Sequence, residues 1–354
     1  MPKIKHIKVS GTAYECGHQL GIEAKEEIRK TIKAYKKIFQ TFNKNDWTFA
    51  QQEAEKYLPW IQQYDQTLVE EMQGISDGAD VPFLDIVAIN ARSEIMSTND
   101  GCTSLVAVPP STDGHKTIVG QNWDWLTSIK GCLIVVEIRQ TNRPQILMCT
   151  EAGIIGKIGM NNKGIGVCLN FLSEERQQYG VPVHVILRGI LNSELYSQAV
   201  GQISRLPRGT AANYLIASKE GEALSVESTC NDYDAIYPNQ DIITHSNHFY
   251  GPKSILIKDT SRYKFPDTHF RNGRAEKLLR IDYGQINEQS FKRVLSDHVN
   301  YPDSICRHGE TLAPMLGREV PSDTLFSIIM NLSELRLEIA FGQPCCAPFS
   351  TFSL

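Results

Sequence analysis

A chain of 354 residues carrying a formal net charge of −4 and a pI near 6.2 is long enough to bury a sizeable core. Its charge balance gives no reason to expect nucleic acid or an anionic membrane as partner. Nine cysteines, odd in number and irregularly spaced, with no C-x-x-C pair, argue against a disulfide framework and offer no zinc-type spacing. Apolar runs stay well short of the roughly 18 residues that span a bilayer. The segment Met1–His6 lacks the apolar core of a signal peptide, and Phe352-Ser353-Leu354 is not a peroxisomal Ser-Lys-Leu ending. The expectation is a reduced, cytoplasmic protein.

After a short N-terminal strand the first hundred residues read as helical. Ala24, Ile28, Ile32, Tyr35 and Phe39 recur at steps of three or four, which puts them on one face of a long amphipathic helix. Further helices are expected at Gln66 to Ile75 and Phe83 to Glu94, with turn residues at Asp77-Gly78 and Pro82 between them. The period changes at Cys102. Strand pairs follow at Ser104 to Val108 with Thr117 to Gln121, Cys132 to Arg139 with Gln145 to Thr150, and Ile155 to Met160 with Ile165 to Asn170. Helices are expected at Val183 to Leu191 and Glu194 to Ile203, then strands at Asn213 to Ser218, Leu224 to Glu227 and Ile242 to Ser246. Two more helices, Arg274 to Ile281 and Gln289 to Asp297, precede a hairpin of Thr324 to Met330 against Leu335 to Phe341. Runs of helices alternating with runs of hairpins point to an α+β arrangement with segregated antiparallel sheets. No repeat or long linker divides the chain, so residues 1–354 read as one domain.

Cys102 sits where helix gives way to strand, in Asp100-Gly101-Cys102-Thr103-Ser104. Gly101 has no side chain to block approach to its carbonyl and tolerates strained backbone angles. A thiol at that position is able to attack the preceding carbonyl, and hydrolysis of the thioester would leave Cys102 as a new N-terminus. A free α-amine, with a reference pKa of about 7.7 to 8.0, suits a base at neutral pH. A nucleophile activated by its own amine is an established device. The alternative is a small, inert, buried thiol at a strand start.

Other stretches join this one in an ordered pattern: Gly11-Thr12 to Gly21, Gly120-Gln121-Asn122-Trp123-Asp124, and Thr150-Glu151-Ala152-Gly153-Ile154-Ile155-Gly156-Lys157. His245-Ser246-Asn247-His248 and Asn300-Tyr301-Pro302 running on to Ser304-Ile305-Cys306-Arg307 complete it. Together they resemble the isopenicillin N acyltransferase (acyl-CoA:6-aminopenicillanic acid acyltransferase) family over most of the chain. The resemblance implies an N-terminal nucleophile hydrolase fold, a four-layer αββα sandwich with two antiparallel sheets between helices. It implies self-cleavage between Gly101 and Cys102 into chains 1–101 and 102–354, held together as a non-covalent heterodimer. Cys102 would take the acyl group. The Asn247 side-chain amide and the backbone N–H of Asp124 would form the oxyanion hole, where one donor is typically worth about 10²- to 10³-fold in rate. Ser104 matches a hydroxyl position near the nucleophile and Arg307 a basic residue lining the substrate pocket. Trp125 and Leu126 stand where the fungal penicillin enzymes carry two phenylalanines near the acyl pocket.

Taken alone these residues leave alternatives open. Asn247 could be a turn asparagine bonding its own backbone. Asp124 could bind a substrate amine or cap a turn. Arg307 could clamp a carboxylate or pair with Glu310. His245 and His248 have ligand-like spacing without a third ligand nearby, and Gly153 to Gly166 lie among strands, which rejects a dinucleotide fingerprint. The expected activity is transfer of an acyl group from an amide or coenzyme A thioester to an amine or water through a Cys102 thioester. No metal or organic cofactor is required, and the partners are a small-molecule acyl donor and an amine acceptor. A general N-acyl amide hydrolase that ignores penicillins is the competing enzyme reading, and a binding protein with an inert Cys102 the non-enzymatic one.

Overall fold

A computed structural model describes residues 4–42, 46–96, 101–175, 178–261, 266–309, 312–315 and 318–354. Asp100, the first residue of the proposed cleavage motif, and Glu310 lie outside them. The chain starts with β1 (His6–Gly11) and the helices α1 (Ala13–Glu23), α2 (Lys25–Phe42), α3 (Trp47–Tyr64), α4 (Gln66–Ala79), α5 (Phe83–Asn90) and α6 (Arg92–Met96). Strands β2 (Gly101–Ala107), β3 (Ile118–Leu126), β4 (Leu133–Gln140), β5 (Ile146–Glu151), β6 (Ile158–Asn161) and β7 (Ile165–Phe171) follow. Helices α7 (Val183–Leu191) and α8 (Tyr196–Ser204) lead to β8 (Ala212–Ser218), β9 (Ala223–Ser228), β10 (Tyr233–Ile236) and β11 (Ile242–His245). Helices α9 (Asp267–Arg280) and α10 (Glu288–Leu295) precede β12 (Leu312–Met315), β13 (Arg318–Asn331), β14 (Arg336–Phe341) and β15 (Phe349–Ser353). These elements gather into two compact units that interleave along the sequence.

The first unit comprises Met1–Thr98, Ser128–Asn162 and Gln177–Thr210. Its strands β4 and β5 form the antiparallel hairpin expected from the sequence, and β6 pairs antiparallel with β5. β1 departs from the antiparallel expectation and lies parallel to β4. A parallel pair needs a long crossover, and the helical segment supplies it. All five apolar positions read from the α2 periodicity, Ala24 to Phe39, are buried. Helices α1 and α4 approach through glycines: a Cβ on Gly74 would lie 2.2 Å from the Tyr14 carbonyl, and one on Gly17 2.1 Å from that of Glu71. Ionic groups fill this unit's interior. Glu151 accepts from Lys157 Nζ at 2.6 Å, from Arg92 Nη2 at 3.0 Å and from the Tyr35 hydroxyl. Burial alone would raise its carboxyl, but Arg92 and Lys157 outweigh that and hold it below the usual carboxylate range. The Thr150 to Lys157 motif thus builds an internal charge cluster.

The second unit comprises Asn99–Thr127, Lys163–Arg176 and Ala211–Leu354. Here β7, β8, β9 and β10 form an antiparallel array. A second antiparallel sheet runs in the order β11, β2, β3, β13, β14, β15, with β12 on β13. One face of β2 and β3 packs on β7, and α9 and α10 cover the other. On that outer face Leu105, Ala107, Ile118 and Ile329 close against Ala275, Leu279, Phe291, Val294 and Leu295. Sheet on sheet, with helices outside, is the α+β layering the hairpin pattern implies. At about 25 cal/mol per Å² of buried apolar surface, such clusters supply the main drive to fold.

Candidate active site

Cys102 lies at the N-terminal end of β2, and the ladder fixes its neighbours. β3 runs antiparallel, placing Trp123 opposite Cys102 and Asp124 opposite Gly101. β11 pairs with the other edge of β2, His245 opposite Ser104, so the chain just past β11 brings Asn247 alongside Cys102. The Cys102 N–H donates to Asn247 Oδ1 at 2.8 Å. Its carbonyl accepts from Arg271 Nη1 at 2.6 Å. Both backbone groups of Cys102 therefore face the β11 side. Backbone groups alternate along a strand, so those of Gly101, including the carbonyl of the Gly101–Cys102 bond, face Asp124 on β3.

Side chains alternate as well, which sorts the candidates into two faces. Ser104 Oγ donates to Asn170 Oδ1 on β7 at 2.6 Å, so Cys102 and Ser104 point between the stacked sheets. Trp125 shares that face by register with Cys102 and Trp123. Asp124 and Leu126 take the opposite, helix-covered face, with Asn122, whose amide donates to Leu295 O and Ile305 O there. The sequence groups Trp125 and Leu126 together, but the pleat separates them and leaves only Trp125 on the thiol's side.

Behind the ladder is a chain of buried charge. Arg271 Nε donates to Asp267 Oδ2 at 2.7 Å, and its other nitrogens donate to Cys102 O, to Thr103 Oγ1 at 2.9 Å and to Asn247 Oδ1 at 3.0 Å. Arg307 Nη2 donates to the same Asp267 oxygen at 2.5 Å. Its Nε lies 3.7 Å from Asp124 Oδ2, beyond hydrogen-bond reach, and neither atom has a hydrogen-bond partner among the described residues. Thr324 on β13 ties the two together: its Oγ1 donates to Asp124 Oδ1 at 2.7 Å and accepts the Arg307 N–H at 2.9 Å. Burial pushes the Asp124 carboxyl above the usual range against the pull of Arg307 and Arg271. For Asp267 burial acts the same way but is outweighed by Arg271 and Arg307, which hold it low.

The orientation of Asn247 follows from its partners. The Cys102 N–H and Arg271 are donors, so Oδ1 must face them. Nδ2 donates to Phe171 O at 3.1 Å. The side chain expected to serve as an oxyanion donor is thus an acceptor for the backbone nitrogen of Cys102. Arg271, Asp267 and Thr324 escape a reading of the sequence. An Asp and an Arg four apart on a helix read as a surface ion pair, and only the burial of Arg271 shows otherwise. His245 and His248 are engaged elsewhere, His245 Nε2 with Glu227 Oε1 at 2.9 Å and His248 Nδ1 with Thr268 Oγ1 at 3.0 Å.

Among solved structures, penicillin V acylase from Agrobacterium tumefaciens superposes on 72% of this chain and 86% of its own, with a TM-score of 0.51 at 11% identity. A mutant of conjugated bile acid hydrolase from Clostridium perfringens covers 72% of this chain and 97% of its own, with a TM-score of 0.47 at 14% identity. The fold is that of the N-terminal nucleophile hydrolases. The family pattern described as acyl-coenzyme A:6-aminopenicillanic acid acyl-transferase matches residues 111–345. The acyl-coenzyme A:6-aminopenicillanic-acid-acyltransferase 40 kDa form of Emericella nidulans is 31% identical over 351 residues, covering 96% of this chain and 93% of that protein. This chain belongs to the acyl-coenzyme A:6-aminopenicillanic acid acyl-transferase family. Among the described residues no helix is long and apolar enough to cross a membrane.

Proposed function

We propose that this protein is a self-processing acyl-transfer enzyme whose nucleophile is the thiol of Cys102. The observation that carries the reading is the grip on Cys102: its N–H on Asn247 Oδ1, its carbonyl on Arg271, and Gly101 against Asp124. In the processing step Cys102 Sγ bonds to the Gly101 carbonyl carbon, and the thiol proton passes to the departing Cys102 nitrogen as the peptide bond breaks. The Asp124 N–H, across the ladder from Gly101, is suited to stabilise the carbonyl oxygen as it gains charge. Water then cleaves the thioester to the Gly101 carboxylate and the free thiol. The released α-amine is already held by Asn247 Oδ1, and the Asp124 N–H loses its ladder partner.

In turnover the α-amine takes the thiol proton, Sγ attacks the donor carbonyl, and the leaving thiol or amine receives that proton. The oxyanion would form against the Asp124 N–H and the Asn247 side-chain nitrogen. An amine or water discharges the resulting thioester. Coenzyme A thioesters enter as substrates, no metal or organic cofactor takes part, and Trp125 and Ser104 line the thiol's face. Chains 1–101 and 102–354 stay together as a non-covalent heterodimer. Intact mass and N-terminal sequencing of wild type and Cys102→Ala test the first step. A wild-type chain that stays whole after folding, with no Cys-Thr-Ser terminus, refutes it. Incubation with an acyl-CoA and 6-aminopenicillanic acid, then with N-acyl amides, separates transfer from hydrolysis. Free thiol matched by new amide marks transfer, and acid release alone marks hydrolysis.

A further inference from the structure

Away from the nucleophile, four soft ligand side chains converge within the second unit: His298, Cys306, His308 and Cys345, their donor atoms all within 4.8 Å of one another. They come from three separate segments. His298 follows α10, Cys306 and His308 flank Arg307, and Cys345 lies between β14 and β15. The Nε2 atoms of His298 and His308 are 3.0 Å apart, and His308 Nε2 lies 3.7 Å from each of Cys306 Sγ and Cys345 Sγ. A tetrahedral zinc with Zn–N near 2.05 Å and Zn–S near 2.3 Å sets its ligands about 3.4 Å apart for two nitrogens and about 3.6 Å for nitrogen and sulfur. The observed spacings are already close to those values.

The donor chemistry narrows the ion. Two thiols and two imidazoles suit zinc and disfavour magnesium or calcium, which take oxygen ligands. Cys306 is buried while His298 and Cys345 are exposed, so the cluster has a closed floor and an open side for entry. The neighbouring Cys346 is not one of the four, and its Sγ donates to Gln343 O at 3.6 Å. We propose that His298, Cys306, His308 and Cys345 form a four-coordinate site for a zinc ion. Such an ion would pin the segment on both sides of Arg307 to the β14–β15 loop. The proposal is independent of the acyl-transfer reading, since none of the four takes a part in the acyl-transfer steps set out above.

The full-length protein, stripped with a chelator under reducing conditions and then given zinc alone, tests it. After removal of excess metal, elemental analysis should find one zinc per chain. Cobalt(II) in its place should give a thiolate charge-transfer band and the intense visible absorption of a tetrahedral ion. Cys345→Ser, at an exposed position, should keep the far-UV spectrum of wild type and lose both signals. His298→Ala should lose them likewise, whereas Cys346→Ser and Cys102→Ser should keep them. Failure of the wild type to retain zinc, or retention undiminished by Cys345→Ser and His298→Ala, would each overturn the proposal.

Discussion

Asn247 Oδ1 accepts the backbone N–H of Cys102 at 2.8 Å, while Arg271 Nη2 donates to the same oxygen at 3.0 Å. A carboxamide so placed is fixed in one orientation, and the nitrogen it holds is the one that peptide cleavage would turn into an amine. Asn247→Ala removes the side-chain acceptor of that buried N–H, at a cost of about 1–3 kcal/mol. Processing should slow by roughly 10- to 100-fold. Asn247→Asp keeps an oxygen facing both donors and should process faster than the alanine variant. Time courses of intact mass during refolding measure the difference. Equal rates for the two variants would remove the acceptor role.

Gly101 has a tight neighbour. A Cβ at this position would lie 3.0 Å from Asp124 Cβ and 3.2 Å from Asp124 Oδ2, and Asp124 is anchored by Thr324. Gly101→Ala must displace either its own carbonyl or Asp124. The fold should survive, since Gly101 is the first residue of β2 and the ladder from Cys102 to Ala107 is untouched, but the bond should be cleaved at least about tenfold more slowly, the effect of about 1.4 kcal/mol of lost alignment. A gel of freshly folded Gly101→Ala that shows the wild-type proportion of two chains would disprove this.

The parts of this arrangement visible in the sequence are those that local pattern encodes. The α2 stripe, the β2–β3 and β4–β5 hairpins and the α7 boundaries follow from periodicity and turn residues. Cys102, Asp124 and Asn247 stand out through family resemblance, and the ladder brings all three together. What stays hidden depends on contacts distant in sequence. Helix α9 is expected from Arg274, yet it begins at Asp267, and the additional two turns or so carry Asp267 and Arg271. Short strands such as β10 and β15 lack the length for a period to show. The four converging thiols and imidazoles come from three segments, so no spacing motif announces them.

Arg271 should be the most costly single site to lose in the second unit. It is buried and supplies Asp267, Cys102 O, Thr103 and Asn247 with donors. Arg271→Met strands those acceptors and leaves Asp267 with Arg307 as its remaining arginine partner. Breaking such a buried pair typically costs about 3–5 kcal/mol. Arg271→Lys, with one ammonium in place of a planar fork, should recover only part of this. Denaturant midpoints of the three proteins, measured with Cys102→Ala to keep processing constant, give the ranking. An Arg271→Met variant within about 1 kcal/mol of its parent would contradict it.

Glu94 in the first unit predicts a pH dependence of stability. Burial raises its carboxyl to about 7, partly offset by the Val183 N–H, which donates to Oε1 at 2.8 Å. Between the ordinary glutamate value near 4.3 and about 7, the unfolded chain loses this proton and the folded one keeps it. The group therefore costs stability progressively across that window, to a plateau of up to about 4 kcal/mol above it. Glu94→Gln, isosteric and neutral, should lack this component. The stability difference between variant and wild type should grow in the variant's favour from pH 4 to pH 7 and then level off. A difference independent of pH would show that Glu94 ionises normally.

The α1–α4 contact offers a test of packing without charge. Gly74 faces the Tyr14 carbonyl so closely that a Cβ would sit 2.2 Å from the oxygen, and Gly78 meets the His18 carbonyl at the same distance. Backbone atoms cannot rotate aside as a long side chain does, so the helices themselves must separate. Alanine has the higher helix propensity, worth up to about 1 kcal/mol over glycine, so propensity alone predicts that Gly74→Ala stabilises. Overpacking costs typically about 1–3 kcal/mol, and here it is set against rigid backbone, so it should win. Gly74→Ala should lower the denaturation midpoint, and Gly74→Ala/Gly78→Ala should lower it further. Gly273, at a helical position with no atom within 4 Å of an added Cβ, should instead gain stability on substitution by alanine. The opposite signs at two helical glycines would separate close approach from propensity.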